Sequence, residues 1–147
     1  MFGCPDATEE QIEEALVISQ AKEFVDTKEG RLDAVVEQGG KNLSGGQRQR
    51  LTLATALVPQ SDILIMDDSA SALDYATDAK LRKAIQNMKR KPTVFIVSQR
   101  TSSIQDADSI LVLDDGKIAG KGTHEELIAS CDIYREIYET QFKKEEA

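Results

Sequence analysis

Ile63-Leu64-Ile65-Met66-Asp67-Asp68 is a continuous apolar run that ends in two carboxylates. Unbroken apolarity, rather than alternation, suits a strand covered on both faces, as in a parallel sheet. Thr93 to Val97 repeats the pattern, and the residues from about Ala76 to Lys89 between them read as a helix. Strand, helix and strand in so short a span make one right-handed crossover unit, which places the chain in the α/β class.

Working upstream, Ser44 to about Val58 reads as a helix stopped by Pro59, preceded by an irregular stretch punctuated by Gly30 and Gly39-Gly40. Residues 8 to 26 read as a further helix, opened by Thr8, Glu9 and Glu10, with Ile12, Ala15, Leu16 and Ile18 at helical spacing. Downstream, Ile110 to Leu113 and Lys117 to Ala119 read as a hairpin turned at Asp115-Gly116. Helices over residues 123–130 and 133–142 close the chain. The first 60 residues are thus helical and residues 61–147 carry the sheet. Tyr134, Ile137, Tyr138 and Phe142 form an apolar stripe, read as core packing rather than a partner-binding groove.

Net charge is −8, from 26 acidic and 18 basic residues, a surface that repels a phosphate backbone and argues against a nucleic-acid partner. The Lys89-Arg90-Lys91 run fits a solvated turn. No apolar run is long enough to span a bilayer, so the chain as given is expected to be soluble. Cys4 and Cys131 match neither a metal knuckle nor a redox pair and read as free thiols. His124, the single histidine, sits in Gly122-Thr123-His124-Glu125-Glu126, an ordinary helix start.

The most specific string is Asn42-Leu43-Ser44-Gly45-Gly46-Gln47-Arg48-Gln49-Arg50. A serine and two glycines at a helix start offer a hydroxyl and unobstructed amides, and the helix dipole adds partial positive charge. Such a tip is shaped for a phosphate. Taken alone, Ser-Gly-Gly would fit an N-cap with a flexible turn equally well.

The whole string, placed before a buried strand ending in Asp67-Asp68, resembles the signature loop of ATP-binding-cassette (ABC) proteins, and its Gln-Arg-Gln-Arg tail resembles the exporter branch. The strand end resembles Walker B, and Ser71-Ala72-Leu73-Asp74 resembles the family's D-loop. The implied fold is the C-terminal half of a P-loop (RecA-like) ATPase domain. Leu43, Ser44, Gly45, Gly46 and Gln47 would then close over the γ-phosphate of ATP held by a partner subunit. Asp67 would hold Mg²⁺ through water, Asp68 would take the position of the group that polarises the attacking water, and Asp74 would help connect the two sites of a dimer.

Two positions depart from the family pattern. Asp68 stands where glutamate is usual, one methylene shorter, and a misplacement of about 1 Å can cost on the order of 100-fold in rate. Gln99, in Val97-Ser98-Gln99-Arg100, stands where the family has a γ-phosphate-contacting histidine, and an amide carries neither a proton nor a charge. Both changes fall on groups serving the chain's own nucleotide, while the signature loop is unaltered. This resembles the degenerate subunit of a heterodimeric exporter at the cytoplasmic face of a cell membrane, joined to transmembrane helices. The alternatives are a soluble ABC-type ATPase without membrane domains and a non-hydrolytic regulatory subunit.

A Walker A loop needs Gly-x-x-x-x-Gly-Lys-Ser/Thr. Gly40-Lys41 leads into Asn42, Gly116-Lys117 into Ile118 and Gly120-Lys121 into Gly122, so none qualifies. In the family that loop precedes the signature by more than the 42 residues that stand before Leu43 here. Phe2 to Thr8 resembles the segment just after the glutamine-bearing loop. The chain therefore reads as the second half of a domain. Alone, it is expected to bind ATP weakly, to lack ATPase activity, and to self-associate through an exposed apolar sheet edge.

Overall fold

Helix α1 (Glu9–Ile18) begins at a capping box in which the Thr8 hydroxyl accepts from the Gln11 amide and the Gln11 side chain accepts from Thr8 N–H. The structure, a computed structural model, describes residues 4–69 and 71–145, with side chains placed through Phe142. Part of the Phe2–Thr8 segment therefore lies outside the described residues. The expected helix over residues 8–26 is broken in two. Gln20 adopts a left-handed conformation (φ 59°), and the Gln20 and Ala21 amides bond back to Val17 O (3.1 Å) and Leu16 O (2.9 Å). That is a Schellman stop made without glycine, and the short helix α2 (Lys22–Val25) follows.

Helix α3 (Gly45–Leu57) starts at Ser44, as its sequence predicts. Arg50, on this helix, donates to Gln20 O (2.9 Å) and lies over the Phe24 ring (4.9 Å), which ties α3 to the α1–α2 corner. Strand β1 (Ile63–Asp67), helix α4 (Tyr75–Gln86) and strand β2 (Thr93–Val97) form the crossover unit, with β1 and β2 parallel and Asp67 in register with Val97. Leu64 and Met66 face a core made with Leu16, Leu53, Leu57 and Leu81.

Among the described residues the opposite face of this sheet is uncovered. Ile65 is 69% exposed, and Ile63, Phe95 and Val97 are exposed beside it. Among the described residues the packed helices all serve the other face, so period-two alternation appears in exposure where the sequence itself does not alternate. Apolar exposure is found on this sheet face as well as along the outer edges of β1 and β2, which pair with no further strand among the described residues.

Before α3, Gly39 (φ 71°) and Gly40 (φ 65°) form a left-handed turn, and a Cβ on Gly40 would stand 2.8 Å from Arg48 Cδ. Gly40→Ala is expected to destabilise this unit by about 1–2 kcal/mol, read from the urea midpoint at unchanged m-value.

The contacts divide the chain into Met1–Val97, described so far, and Ser98–Ala147. In the second unit, strands β3 (Ile110–Asp114) and β4 (Lys117–Gly122) pair as an antiparallel hairpin with a bulge between Val112 and Leu113. Asp115 (φ 45°) and Gly116 (φ 73°) both take the positive φ that a tight hairpin turn requires. Helices α5 (His124–Ser130) and α6 (Asp132–Glu145) cover the hairpin through Leu127, Cys131 and Tyr134. Only part of the apolar stripe is core: Tyr134 is buried, whereas Ile137 and Phe142 are exposed. His124 Nδ1 lies 2.9 Å from the Tyr134 hydroxyl and packs against Tyr138, a structural contact between α5 and α6.

Candidate functional site

The tip of α3 is exposed at Ser44 and Gly45 and anchored by the half-buried Leu43 just before it. Ser44 Oγ accepts from the Gln47 amide (3.2 Å), and Gln47 Oε1 accepts from Ser44 N–H (3.0 Å), which completes a capping box. Two backbone amides of the loop, those of Ser44 and Gln47, are therefore used internally. The Gly45 and Gly46 amides donate to no group among the described residues. With the helix dipole behind them, they and the unused Ser44 hydroxyl hydrogen suit an anion.

Beneath the tip runs the turn that follows β1. A Cβ on Gly46 would stand 3.1 Å from the Ala72 carbonyl oxygen, and one on Gly45 would stand 3.8 Å from Ala72 Cβ. Only glycine allows this approach without a shift at the first of these positions. Asn42 steadies the preceding loop, donating to Val35 O (2.8 Å) and accepting from the Glu37 amide (3.2 Å).

Asp67 ends β1 on the open face of the sheet. Asp68 is exposed and left-handed (φ 46°), a conformation that aspartate tolerates better than most side chains. Its amide donates to Val97 O (3.0 Å) and so extends the ladder past the strand. Among the described residues no cluster of three or more His, Cys, Asp or Glu is gathered for a metal. The donor set fits Mg²⁺ held by one carboxylate with water and phosphate oxygens completing its shell, not a closed protein cage.

Asp74 caps α4. Its two carboxylate oxygens accept from the Thr77 amide (2.9 Å) and the Thr77 hydroxyl (2.8 Å). The Thr77 amide first, and then its hydroxyl, hold the Asp74 carboxyl below its ordinary value. Gln99 belongs to the second unit, where its carbonyl accepts from Gln141 Nε2 (2.6 Å) and its exposed side chain has no hydrogen-bond partner among the described residues. The structure thus gathers Ser44, Gly45, Gly46 and the residues after Asp68 in one unit. A cleft of about 470 Å³, lined by Glu10, Glu14, Leu57, Gln60, Met88 and Arg90 among others, contains none of the nominated residues.

Two residues escaped the sequence reading. Gln49 carries three hydrogen bonds to the turn after β1, and Gln141 holds both Gln99 and Thr101. Gln49 lies inside the stretch Asn42 to Arg50, but only geometry shows that its amide reaches a turn 19 and more positions away.

A parallel crossover whose first strand ends in carboxylates, beside a helix tip with free amides, fits part of an α/β P-loop ATPase domain. A family model described as ABC transporter matches residues 6–71. The chain is 41% identical over 139 residues to an ATP-dependent lipid A-core flippase of Shewanella frigidimarina, covering 95% of this chain and 23% of that protein. It is 40% identical over 145 residues to a β-(1→2)-glucan export ATP-binding/permease protein of Rhodopseudomonas palustris, covering 99% of this chain and 24% of that one. The solved structure of a bacterial Atm1-family ABC exporter with ATP bound superposes with a TM-score of 0.88 at 31% identity, over 93% of this chain and 24% of that one. The chain belongs to the ABC transporter family, as a stretch of the nucleotide-binding domain homologous to those of exporters. It spans about a quarter of the length of these relatives. No helix among the described residues is long and apolar enough to cross a membrane.

Proposed function

We propose that this segment serves an ATP-driven exporter by presenting Ser44, Gly45, Gly46 and Gln47 to the triphosphate held by a second ABC subunit. The observation that carries the reading is the exposed α3 tip, with two uncommitted amides and an exposed serine hydroxyl whose hydrogen is not used by the cap. ATP would supply the scissile phosphoanhydride bond. The tip would meet the negative charge of its terminal phosphate with fixed donors that need no reorganisation.

Asp67 is the residue we assign to Mg²⁺. Asp68 and Gln99 are the groups nearest in role to a base and a γ-phosphate contact, and both are weaker than the family's usual residues. We therefore read the chain's own site as slow and the partner's as active, which makes the assembly a heterodimer joined to transmembrane helices, with this segment at the cytoplasmic face. Residues 1–60 would belong to the helical subdomain and 61–147 to the RecA-like core.

The test is to purify the full-length subunit alone and with a second ABC subunit that carries glutamate and histidine at the positions of Asp68 and Gln99. ATPase activity is expected only in the mixed assembly. Equal turnover by a homodimer of this subunit would overturn the heterodimer reading.

A further inference from the structure

Gln49 projects from the second turn of α3 onto the turn after β1. Its Nε2 donates to Asp68 O (3.0 Å) and to Ser71 Oγ (3.4 Å), while its Oε1 accepts from the Ala72 amide (3.0 Å). Asp68 O also accepts from the Ser71 amide (3.2 Å) and hydroxyl (3.0 Å). A carboxamide has a donor and an acceptor on one rigid plane, so one side chain fastens both ends of the turn to the helix. A carboxylate or an aliphatic side chain of the same length cannot do so.

The same turn lies close under the helix tip: a Cβ on Gly46 would stand 3.1 Å from the Ala72 carbonyl oxygen and 3.7 Å from Leu73 Cδ2. Ala72 is therefore bonded to Gln49 on one side and lies close to the tip on the other. Any shift of Asp68 must either break the Gln49 bonds or move Ala72, and with it the floor under the tip. The link is a set of surface hydrogen bonds, fixed by the geometry of one planar amide rather than by burial.

We propose that Gln49 is a positioning residue that couples the setting of Asp68, at this chain's own acidic pair, to the pose of Ser44–Gly46. The link runs within one subunit, through a single side-chain amide and Ala72. It rests on the reading of the α3 tip as facing a neighbour's triphosphate.

The experiment uses the full-length subunit assembled with its partner and compares Gln49→Met, which keeps length and helix propensity but loses all three bonds, with Gln49→Glu, which keeps the acceptor for Ala72. For Gln49→Met the Ala72 amide is expected to exchange with solvent about 5–10-fold faster, with Leu53–Leu57 unchanged. The kcat for ATP is expected to fall about tenfold with KM altered less than twofold. Gln49→Glu should fall between wild type and Gln49→Met on both readouts, and it serves alone if Gln49→Met does not fold. Faster exchange at Ala72 with unchanged kcat overturns the coupling, and so does a lower kcat with Ala72 undisturbed. Ser44→Arg in the same assembly separates the two levels: if it too leaves ATPase untouched, the nucleotide-facing reading has failed and this proposal goes with it.

Discussion

Ser44→Arg is expected to lower the ATPase activity of the assembled transporter by about 100- to 1000-fold, the range seen when a preorganised donor to developing charge is removed. Ser44 has two jobs. Its oxygen caps α3 by accepting from the Gln47 amide, and its hydroxyl hydrogen remains to donate outward. Arginine ends both and sets a long side chain over the two free glycine amides. Loss of the cap alone costs about 1 kcal/mol, which a folded domain tolerates. Two companion variants separate the roles. Ser44→Thr keeps cap and hydroxyl and should stay within a few-fold of wild type. Ser44→Asp caps the helix equally well but brings a negative charge against a phosphate, so it should be stable and inactive. A steady-state assay on purified mixed dimers decides the matter, and Ser44→Asp turning over at the wild-type rate would remove the reason for placing this serine at a nucleotide.

Asp68→Glu is expected to raise hydrolysis at the chain's own site by about 10- to 100-fold, measured in a Ser44→Arg background where the neighbour's site is silent. The added methylene moves the carboxylate by about 1 Å, a distance worth on the order of 100-fold when a reacting group is misplaced. There is an opposing effect. Asp68 holds a positive φ of 46°, a region that short polar side chains enter more readily than glutamate does. The substitution should therefore cost about 0.5–1 kcal/mol in stability while the rate rises. A rate that does not change would mean that the slow site owes nothing to the missing methylene.

The α/β class, the parallel pairing of β1 with β2 and the hairpin at Asp115-Gly116 were legible because each has a local chemical cause. Apolar runs, a capping serine and a pair of turn formers act over a few residues. The break at Gln20 was not legible, since a Schellman stop usually advertises itself by glycine and here a glutamine takes the left-handed position. The open face of β1 and β2 was hidden for a different reason. Ile63, Ile65, Phe95 and Val97 are as apolar as residues meant for burial, and no pattern within a strand says which side lacks a cover. At the site, Ser44 to Gln47 could be named from residue types. The attachment of Gln49 to Asp68 and Ala72 could not, because it depends on how α3 lies against a turn distant in sequence.

That open face also shapes the thermodynamics of the unit that carries it. The heat capacity of unfolding grows with the apolar area that is sheltered in the folded state and then hydrated. Ile63, Ile65, Phe95 and Val97 are already largely wet before unfolding begins, so they add little to that quantity. Taken as this segment alone, residues 4–97 should accordingly have a flatter stability curve, bending less toward both heat and cold, than the same sheet covered on its second side.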